Sequence, residues 1–491
     1  MAATTNGGPK SIPLVKLDST LYDLLKADLK DGEEMEALCK LKPNSDPQYG
    51  HAVPFNDKYI IHSAQVSTAE NLAHLQLENT SHLLMFFAGP MRVLFMGSEG
   101  NTDDPTLSAE DVGKNAARSF SVIQESQRPR ITTFKNTEDF VKRYDGAPIR
   151  WGFAMDFAER LPSLVHPELT YKLNSKKWLA ECVLRSANDR VVDCSVNCKQ
   201  HAVTDELWYH RGADCNACAE GVKEEIQRVR EILLHAKIPF VLKLTQSLAS
   251  VGTNIVQDEE ARDKLVDSMT HYLADFLPRI TKGNRHLYTT SLILSEFVPG
   301  PTHALNFHVR KDGSVVFLGA CNQLATGESG RQSTAITYAD QPKLQPKFQS
   351  TLDAIGKVLC EEGYHGPVGA DIMEDPDSGR LFCIDLNVRV PLSLVLYLLK
   401  GHFNDRFGYG VATVYECTML TISREELERK FEREFAEARI LILGAARMGK
   451  KKVWAFGLVV AGEDTEAIEK VTERILEDEA KEDEDAEAGG A

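Results

Sequence analysis

The stretch that most constrains this chain is residues 366–389, GPVGADIMEDPDSGRLFCIDLNVR. It reads as two acidic strands joined by the tight turn DPDSG, with Asp371 in the first strand and Asp385 and Asn387 in the second. Residues two apart on a strand share a face, so Asp385 and Asn387 project together and a hairpin sets Asp371 beside them. Two carboxylates on so small a patch repel each other unless a cation sits between them. Hard oxygen donors of this kind suit Mg²⁺, which takes one or two carboxylates plus the phosphates of a nucleotide. The plain alternative is a surface hairpin whose polar residues are merely solvated.

Size and charge narrow what such a hairpin can serve. A chain of 491 residues corresponds to two to four ordinary domains. A formal net charge of −16 argues against nucleic acid or an anionic membrane as the main partner. Part of that charge lies in EDEAKEDEDAE (residues 477–487), a run expected to be disordered and solvated. The best candidate for a membrane span, LLMFFAGPMRVLFM from Leu83, is broken by Pro90 and Arg92. It falls short of the ~20 apolar residues a span needs and is expected to form two buried strands. The N-terminus MAATTNGGPKS has no apolar signal core. These features lead to the expectation of a soluble, cytoplasmic protein whose ten cysteines stay reduced.

The first 165 or so residues alternate short apolar runs with polar, helix-like segments. YIIHSA (59–64), HLLMFFA (82–88), RVLFMG (92–97) and PRITTF (129–134) are expected strands, and TEDFVKRY starts a helix with Thr137 as its cap. Such alternation implies an α/β domain, and without a GxGxxG loop it carries no dinucleotide signature. From about Leu173 the texture changes. The order becomes helix (NSKKWLAECVLRSA), helix (KEEIQRVREILLHAK), strand (FVLKL), a loop of small residues (247–252) and a further strand. A hairpin turned on Lys311-Asp312-Gly313, a long helix (LQPKFQSTLDAIGKVLCEEGY) and the acidic hairpin follow. The last 90 residues supply a charged helix (423–437), the strands RILILGAA and KKVWAFGLVVAG, and a final helix.

Lys243, inside the apolar strand FVLKL, is the second strong signal. A lysine there is costly unless an anion meets it. The loop after it, TQSLASVGTN, is rich in small residues whose backbone N–H groups can cradle phosphate. The bland reading is a strand lysine reaching out to solvent.

In this order the parts resemble the ATP-grasp superfamily, whose members include D-alanine–D-alanine ligase and biotin carboxylase, over roughly residues 173–399. The resemblance implies a mixed α/β chain: an N-terminal α/β domain (1–168) bordering the substrate cleft, a two-subdomain ATP-binding region (169–400), a C-terminal α+β portion (401–476) that contributes the last sheet, and the acidic tail (477–491). It implies ATP binding through Lys176 (Lys177 as the fallback), Lys243, the lid residues Ser247, Ser250 and Gly252, and the hinge residues Glu296 and Val298. It makes Asp371, Asp385 and Asn387 ligands of Mg²⁺ (Mn²⁺ as a substitute), and gives Arg389 and Arg331 catalytic, anion-binding roles. The implied activity is activation of a carboxylate as an acyl phosphate and its coupling to an amine, between small-molecule substrates and in a homodimer. A different ATP-grasp chemistry, such as carboxylation or acyl-CoA formation, and a non-catalytic nucleotide-binding role are the alternatives. Three departures stand out: Thr302 and His303 occupy the place of a ribose-binding glutamate, Asp385 replaces the usual metal-binding glutamate, and Val388 replaces a proline that often follows the asparagine.

Two other motifs compete. GAARMGK (444–450) fits the first part of a phosphate-binding loop, but Lys451 follows where Ser or Thr is needed and a strand follows where a helix is needed. A β-hairpin with a basic tip is the better reading. Cys194, Cys198, Cys215 and Cys218 have spacing that could hold a structural Zn²⁺, although ordinary reduced thiols account for them more simply.

Overall fold

The computed structural model describes residues 12–30, 34–38, 58–61, 82–96, 108–182, 184, 189–194, 216–247, 252–281, 283–326, 331–447 and 453–479. Three sheets organise them. The N-terminal sheet is all parallel, in the order β3-β2-β1-β4. Its strands are β1 (Glu36–Leu38), β2 (Arg92–Met96), β3 (Arg130–Phe134) and β4 (Ile149–Trp151). Helices Ala109–Phe120 and Thr137–Arg143 connect them, the latter capped by the side chain of Asn136 rather than by Thr137. This is the α/β texture expected from the alternation.

One expectation in this region fails. HLLMFFA is helical over residues 82–86, not a strand. Leu83, Leu84, Met85, Phe86 and Phe87 are all buried. A run apolar on every side carries no period, so its pattern cannot separate a buried helix from a buried strand. Of YIIHSA, residues 59–61 are not strand, and the rest lies outside the described residues.

The second sheet is small and antiparallel. It runs β5 (Arg190–Val192), β8 (Leu292–Glu296), β6 (Phe240–Leu244), β7 (Thr253–Val256). Helices Asn216–Leu234 and Glu259–Phe276 pack on it through Val229, Leu233, Leu265, Met269 and Leu273.

The third sheet has eight antiparallel strands in the order β13-β12-β9-β10-β11-β14-β16-β15. They are β9 (Thr302–Val309), β10 (Val315–Thr326), β11 (Arg331–Thr337), β12 (Gly366–Glu374), β13 (Leu381–Asn387), β14 (Val411–Leu420), β15 (Ile440–Arg447) and β16 (Trp454–Gly462). Strands beyond residue 400 therefore extend this sheet instead of building a last sheet of their own. They join it through the antiparallel pairing of β14 with β11. The long helix Gln341–Glu361 covers one face through Phe348, Leu352, Ile355 and Leu359. The other face packs on the N-terminal domain through Leu318, Cys321, Ile336 and Val414. Residues 297–301 link β8 of the small sheet to β9 of the large one, where the sequence places the hinge. Among the described residues, no helix is long and apolar enough to cross a membrane.

Candidate functional site

The acidic hairpin forms as its alternation predicts. Asp371 and Asp385 are direct cross-strand partners, and Asn387 stands opposite Gly369. Like charges in that position destabilise a sheet, and burial adds to the strain. Burial and the neighbouring Asp385 push the Asp371 carboxyl up, whereas Lys176 and Lys243 outweigh burial at Asp385 and hold it low. Asp385 is surrounded by protein yet keeps a quarter of its side chain exposed. It lies on the floor of a cleft that solvent and ligands can reach.

Both predicted lysines converge there from the small sheet. Lys176 opens the helix Lys176–Glu181, whose N-cap Ser175 bonds Thr245 at 2.8 Å, while the Lys176 N–H donates to the Thr245 carbonyl. This docks the helix start on the end of β6. It aims the buried Lys176 Nζ at Asp385 Oδ1, 3.2 Å away, and at the Ser247 carbonyl, 3.5 Å away. Lys177, the fallback, points elsewhere. It pairs with Glu181 and Asp193 and sits 4.4 Å from the Tyr288 ring centroid.

Lys243 leaves β6 for the hairpin. A bulge on β13, opposite the Asp371–Ile372 step of β12, leaves Ile384 without a ladder partner. The freed Ile384 carbonyl accepts a bond from Lys243 Nζ at 2.6 Å. Burial holds the Lys243 ammonium below its ordinary range, partly offset by Asp385. Asp189, which the sequence reading passed over, adds a further carboxylate near this lysine.

The loop after β6 is built for close approach. Gly252 has φ +67°, its carbonyl accepts from the Leu244 N–H, and a Cβ there would lie 2.3 Å from the Leu244 side chain. Only glycine fits that combination without strain. Ser247 Oγ is buried without a hydrogen-bond partner in the described structure, an unusual state that calls for an explanation. An anion held by Lys176 would supply the missing partner. Ser250 lies outside the described residues. Glu296 ends β8 exposed, opposite Phe240, and Val298 is half-buried in the link to β9.

Arg389 leans back over the hairpin end. Its guanidinium donates to Asn387 Oδ1 at 2.7 Å and stacks on Phe153 of the N-terminal domain, 5.2 Å from the ring centroid. Its charge also reaches Glu416, an exposed residue of β14 that sequence reasoning missed. Glu416 and Cys417 share a bulge facing Gly457, and no linear motif marks that position. Arg331 opens β11 opposite Thr326, and its side chain lies outside the described residues.

Two of the departures acquire physical accounts. Asn174 bonds Val388 twice, its Oδ1 accepting the Val388 N–H at 2.9 Å and its Nδ2 donating to the carbonyl at 3.1 Å. A proline at 388 has no N–H and would forfeit the first bond. His303 pairs with Asn322 at 3.1 Å, and its register with Ile372 puts it on the opposite face from Asp371, away from the carboxylates. Thr302 shares the face of Asp371.

Among the described residues no three His, Cys, Asp or Glu side chains group closely enough to hold a metal. The acidic hairpin offers two carboxylates and an amide, a set that suits Mg²⁺ only together with phosphate oxygens. Of the four clustered cysteines, Cys194 is a buried thiol on the Val192 carbonyl at 3.5 Å, pushed up to about 12 by burial. Cys198, Cys215 and the Cys218 side chain lie outside the described residues. Of GAARMGK, residues 444–447 end β15, paired antiparallel with β16, and residues 448–450 lie outside the described residues.

No protein-family model matches the chain, and no curated protein does. Solved structures of similar shape include N5-carboxyaminoimidazole ribonucleotide synthetase in complex with ADP, at 13% identity, covering 92% of this chain and 98% of that one, with a TM-score of 0.45. L-amino acid ligase from Bacillus licheniformis resembles it at 12% identity over 92% and 98% of the two chains, TM-score 0.45. Phosphoribosylamine–glycine ligase from Thermotoga maritima does so at 13% identity over 91% and 96%, TM-score 0.44. At those identities and TM-scores the likeness leaves this chain's own reaction to be argued from its own residues.

Proposed function

We propose that the chain is an ATP-dependent ligase of the ATP-grasp type, coupling a carboxylate to an amine with release of ADP and phosphate. One observation carries this reading: two lysines from the small sheet, Lys176 and Lys243, close on an acidic pair of the large sheet, with Lys176 Nζ 3.2 Å from Asp385 Oδ1. A purely structural ion pair would need one lysine and one carboxylate. Here Lys176, Asp385, Asn387 and Arg389 line one solvent-reached cleft, with Lys243 and Asp371 close to Asp385.

Within residues 169–400, the region we assign to nucleotide binding, Lys176, Ser247 and the backbone of the loop through Gly252 would hold the phosphates. Residues 296–298 would meet the base through backbone groups. Asp371, Asp385 and Asn387 would hold Mg²⁺, which supplies charge neutralisation between the β- and γ-phosphates when bound. Arg389, anchored by Asn387 and Phe153, would receive the substrate carboxylate.

In the first step a carboxylate oxygen bonds to the γ-phosphorus, and the bond from that phosphorus to the β-γ bridging oxygen breaks, leaving ADP. In the second the amine nitrogen bonds to the acyl carbon, phosphate departs, and the nitrogen loses its proton to solvent. Lys176, Lys243 and Arg389 act by fixed electrostatics in a partly water-excluded cleft, where such charges are worth most. The test is ADP and phosphate release from Mg²⁺-ATP across a panel of acids and amines, with mass spectrometry of the products. ADP formation that depends on one acid, with an amide of matching mass, supports the reading; absence of ATP binding ends it.

A further inference from the structure

The cleft beside Lys176 and Asp385 has a second wall that the nucleotide does not explain. It runs from Arg389 and Asn387 to Ile61, Phe153, Ala154 and Tyr171, so the N-terminal domain supplies part of it. The cleft opens to solvent, and its enclosed part is narrow, with about 20 Å³ in which the centre of a water molecule can move.

Several of the polar groups along this wall are already engaged. Tyr171 Oη donates to the Ile60 carbonyl at 2.6 Å, and Gln246 Nε2 donates to the Tyr171 carbonyl at 2.6 Å. Asn174 spends both ends of its amide on Val388. Beside Thr170, Gln246 and Ser247, the cleft is lined by hydrocarbon: the Phe153 ring, Ile61, Ala154 and the Tyr171 ring, the last packed 5.1 Å from Tyr59. The cleft therefore has a charged end, at Arg389 and Lys176, and an apolar end a few ångströms away. A ligand with one carboxylate and a hydrocarbon substituent satisfies both ends. A second charge on that substituent would be desolvated with nothing to pair it.

We propose that this cleft seats the acid substrate and selects a monocarboxylic acid with a small apolar substituent next to the carboxyl. Phe153 determines that specificity. Its ring both floors the apolar end and braces the Arg389 guanidinium that meets the carboxylate. This inference rests on the ligase reading and adds the substrate class to it.

The test uses the full-length protein with Mg²⁺-ATP and hydroxylamine, which traps an activated acyl group as a hydroxamate whatever the natural amine. Acetate, propionate, butyrate and isobutyrate are compared with malonate, succinate and glycolate. Calorimetry measures Mg²⁺-ATP affinity in parallel. We expect hydroxamate from the apolar monocarboxylates with kcat/KM at least 10-fold above the dicarboxylates. Phe153→Ala should move the optimum to a longer substituent and raise KM for the acid about 10-fold, with Mg²⁺-ATP affinity changed less than 2-fold. Phe153→Leu should keep the apolar preference, and Ile61→Ala replaces Phe153→Ala if circular dichroism shows that variant unfolded. Preference for dicarboxylates or hydroxy acids, an unchanged optimum in a folded Phe153→Ala, or no hydroxamate from any acid despite ATP binding would each overturn the inference while leaving the nucleotide site standing. No Mg²⁺-ATP binding at all would overturn the ligase reading and this inference together.

Discussion

Two hairpins close the opposite edges of the eight-stranded sheet, β12–β13 at one end and β15–β16 at the other. Both are antiparallel, and both contain a register shift. They differ in what their side chains meet. Every residue of β15 before Arg447 is buried, as is every residue of β16 after Trp454. Helix Ala109–Phe120 packs against β15, and helix Thr465–Leu476 against β16. The β12–β13 hairpin instead keeps Asp371, Asp385 and Asn387 on one face, met by cations from another sheet. The same backbone device thus serves stability where its faces are dry, and leaves polar groups half-covered at the edge where we propose that ligand and metal bind. The first four residues of the phosphate-loop-like string GAARMGK belong to the dry strand β15, and the next described element is strand β16, not the helix N-terminus such a loop needs.

That contrast can be broken from either side. Phe456→Ala, in the fully buried β16, should cost about 3–5 kcal/mol of unfolding free energy, read by urea denaturation, while the folded fraction keeps its ATP affinity. Loss of ATP affinity in that folded fraction would show that the two edges are coupled. Asp385→Asn should leave the fold intact and lower Mg²⁺-dependent turnover on the order of 100-fold or more; full turnover in that variant would remove the hairpin from the chemistry. Lys243→Met, which keeps the packing of β6, should weaken ATP binding roughly 10-fold, the scale of one charge-assisted contact, in a calorimetric titration. An unchanged affinity would make this lysine structural.

A pH experiment separates the core from the site. Burial holds the His82 imidazole down to about 4, against an ordinary value near 6.5. The folded state therefore binds that proton less readily than the unfolded one. The stability this residue contributes is complete above about pH 6.5 and is lost as pH falls toward 4, at up to about 1.4 kcal/mol per pH unit. Urea midpoints measured from pH 7 to 4.5 should fall less steeply for His82→Leu than for wild type; parallel curves would contradict this assignment. The smallest effect is expected at the basic hairpin tip: Lys450→Ala should change ATP affinity less than 2-fold, and a large loss there would revive the phosphate-loop reading.

Much of the candidate site was readable one segment at a time. The alternation in CIDLN put Asp385 and Asn387 on one face, and Lys243 stood out because its strand is otherwise apolar. The small residues before Gly252 marked a loop, and positive φ at Gly252 gives that mark its physical meaning. The helical 82–86 segment was misread because a wholly apolar run has no period to read. Lys176 and Lys177 were indistinguishable in sequence, since adjacent residues on a helix differ only in where their side chains reach. The engaged amide of Asn174, the Ile384 carbonyl bared by a bulge, Glu416 and the Phe153 wall left no linear trace.

Local pattern alone therefore determined the acidic hairpin, the helix Gln341–Glu361, strand β6 and the identity of the charged groups, because those follow from residue periodicity and from the cost of burying charge. Only the tertiary structure decided which lysine meets which carboxylate, and that the strands after residue 400 extend the same sheet. It also brought the N-terminal domain over the cleft. Those outcomes rest on contacts between residues some 70 to 240 positions apart, such as Lys176 with Asp385 and Phe153 with Arg389. Packing sets such distances, and no window of sequence encodes them.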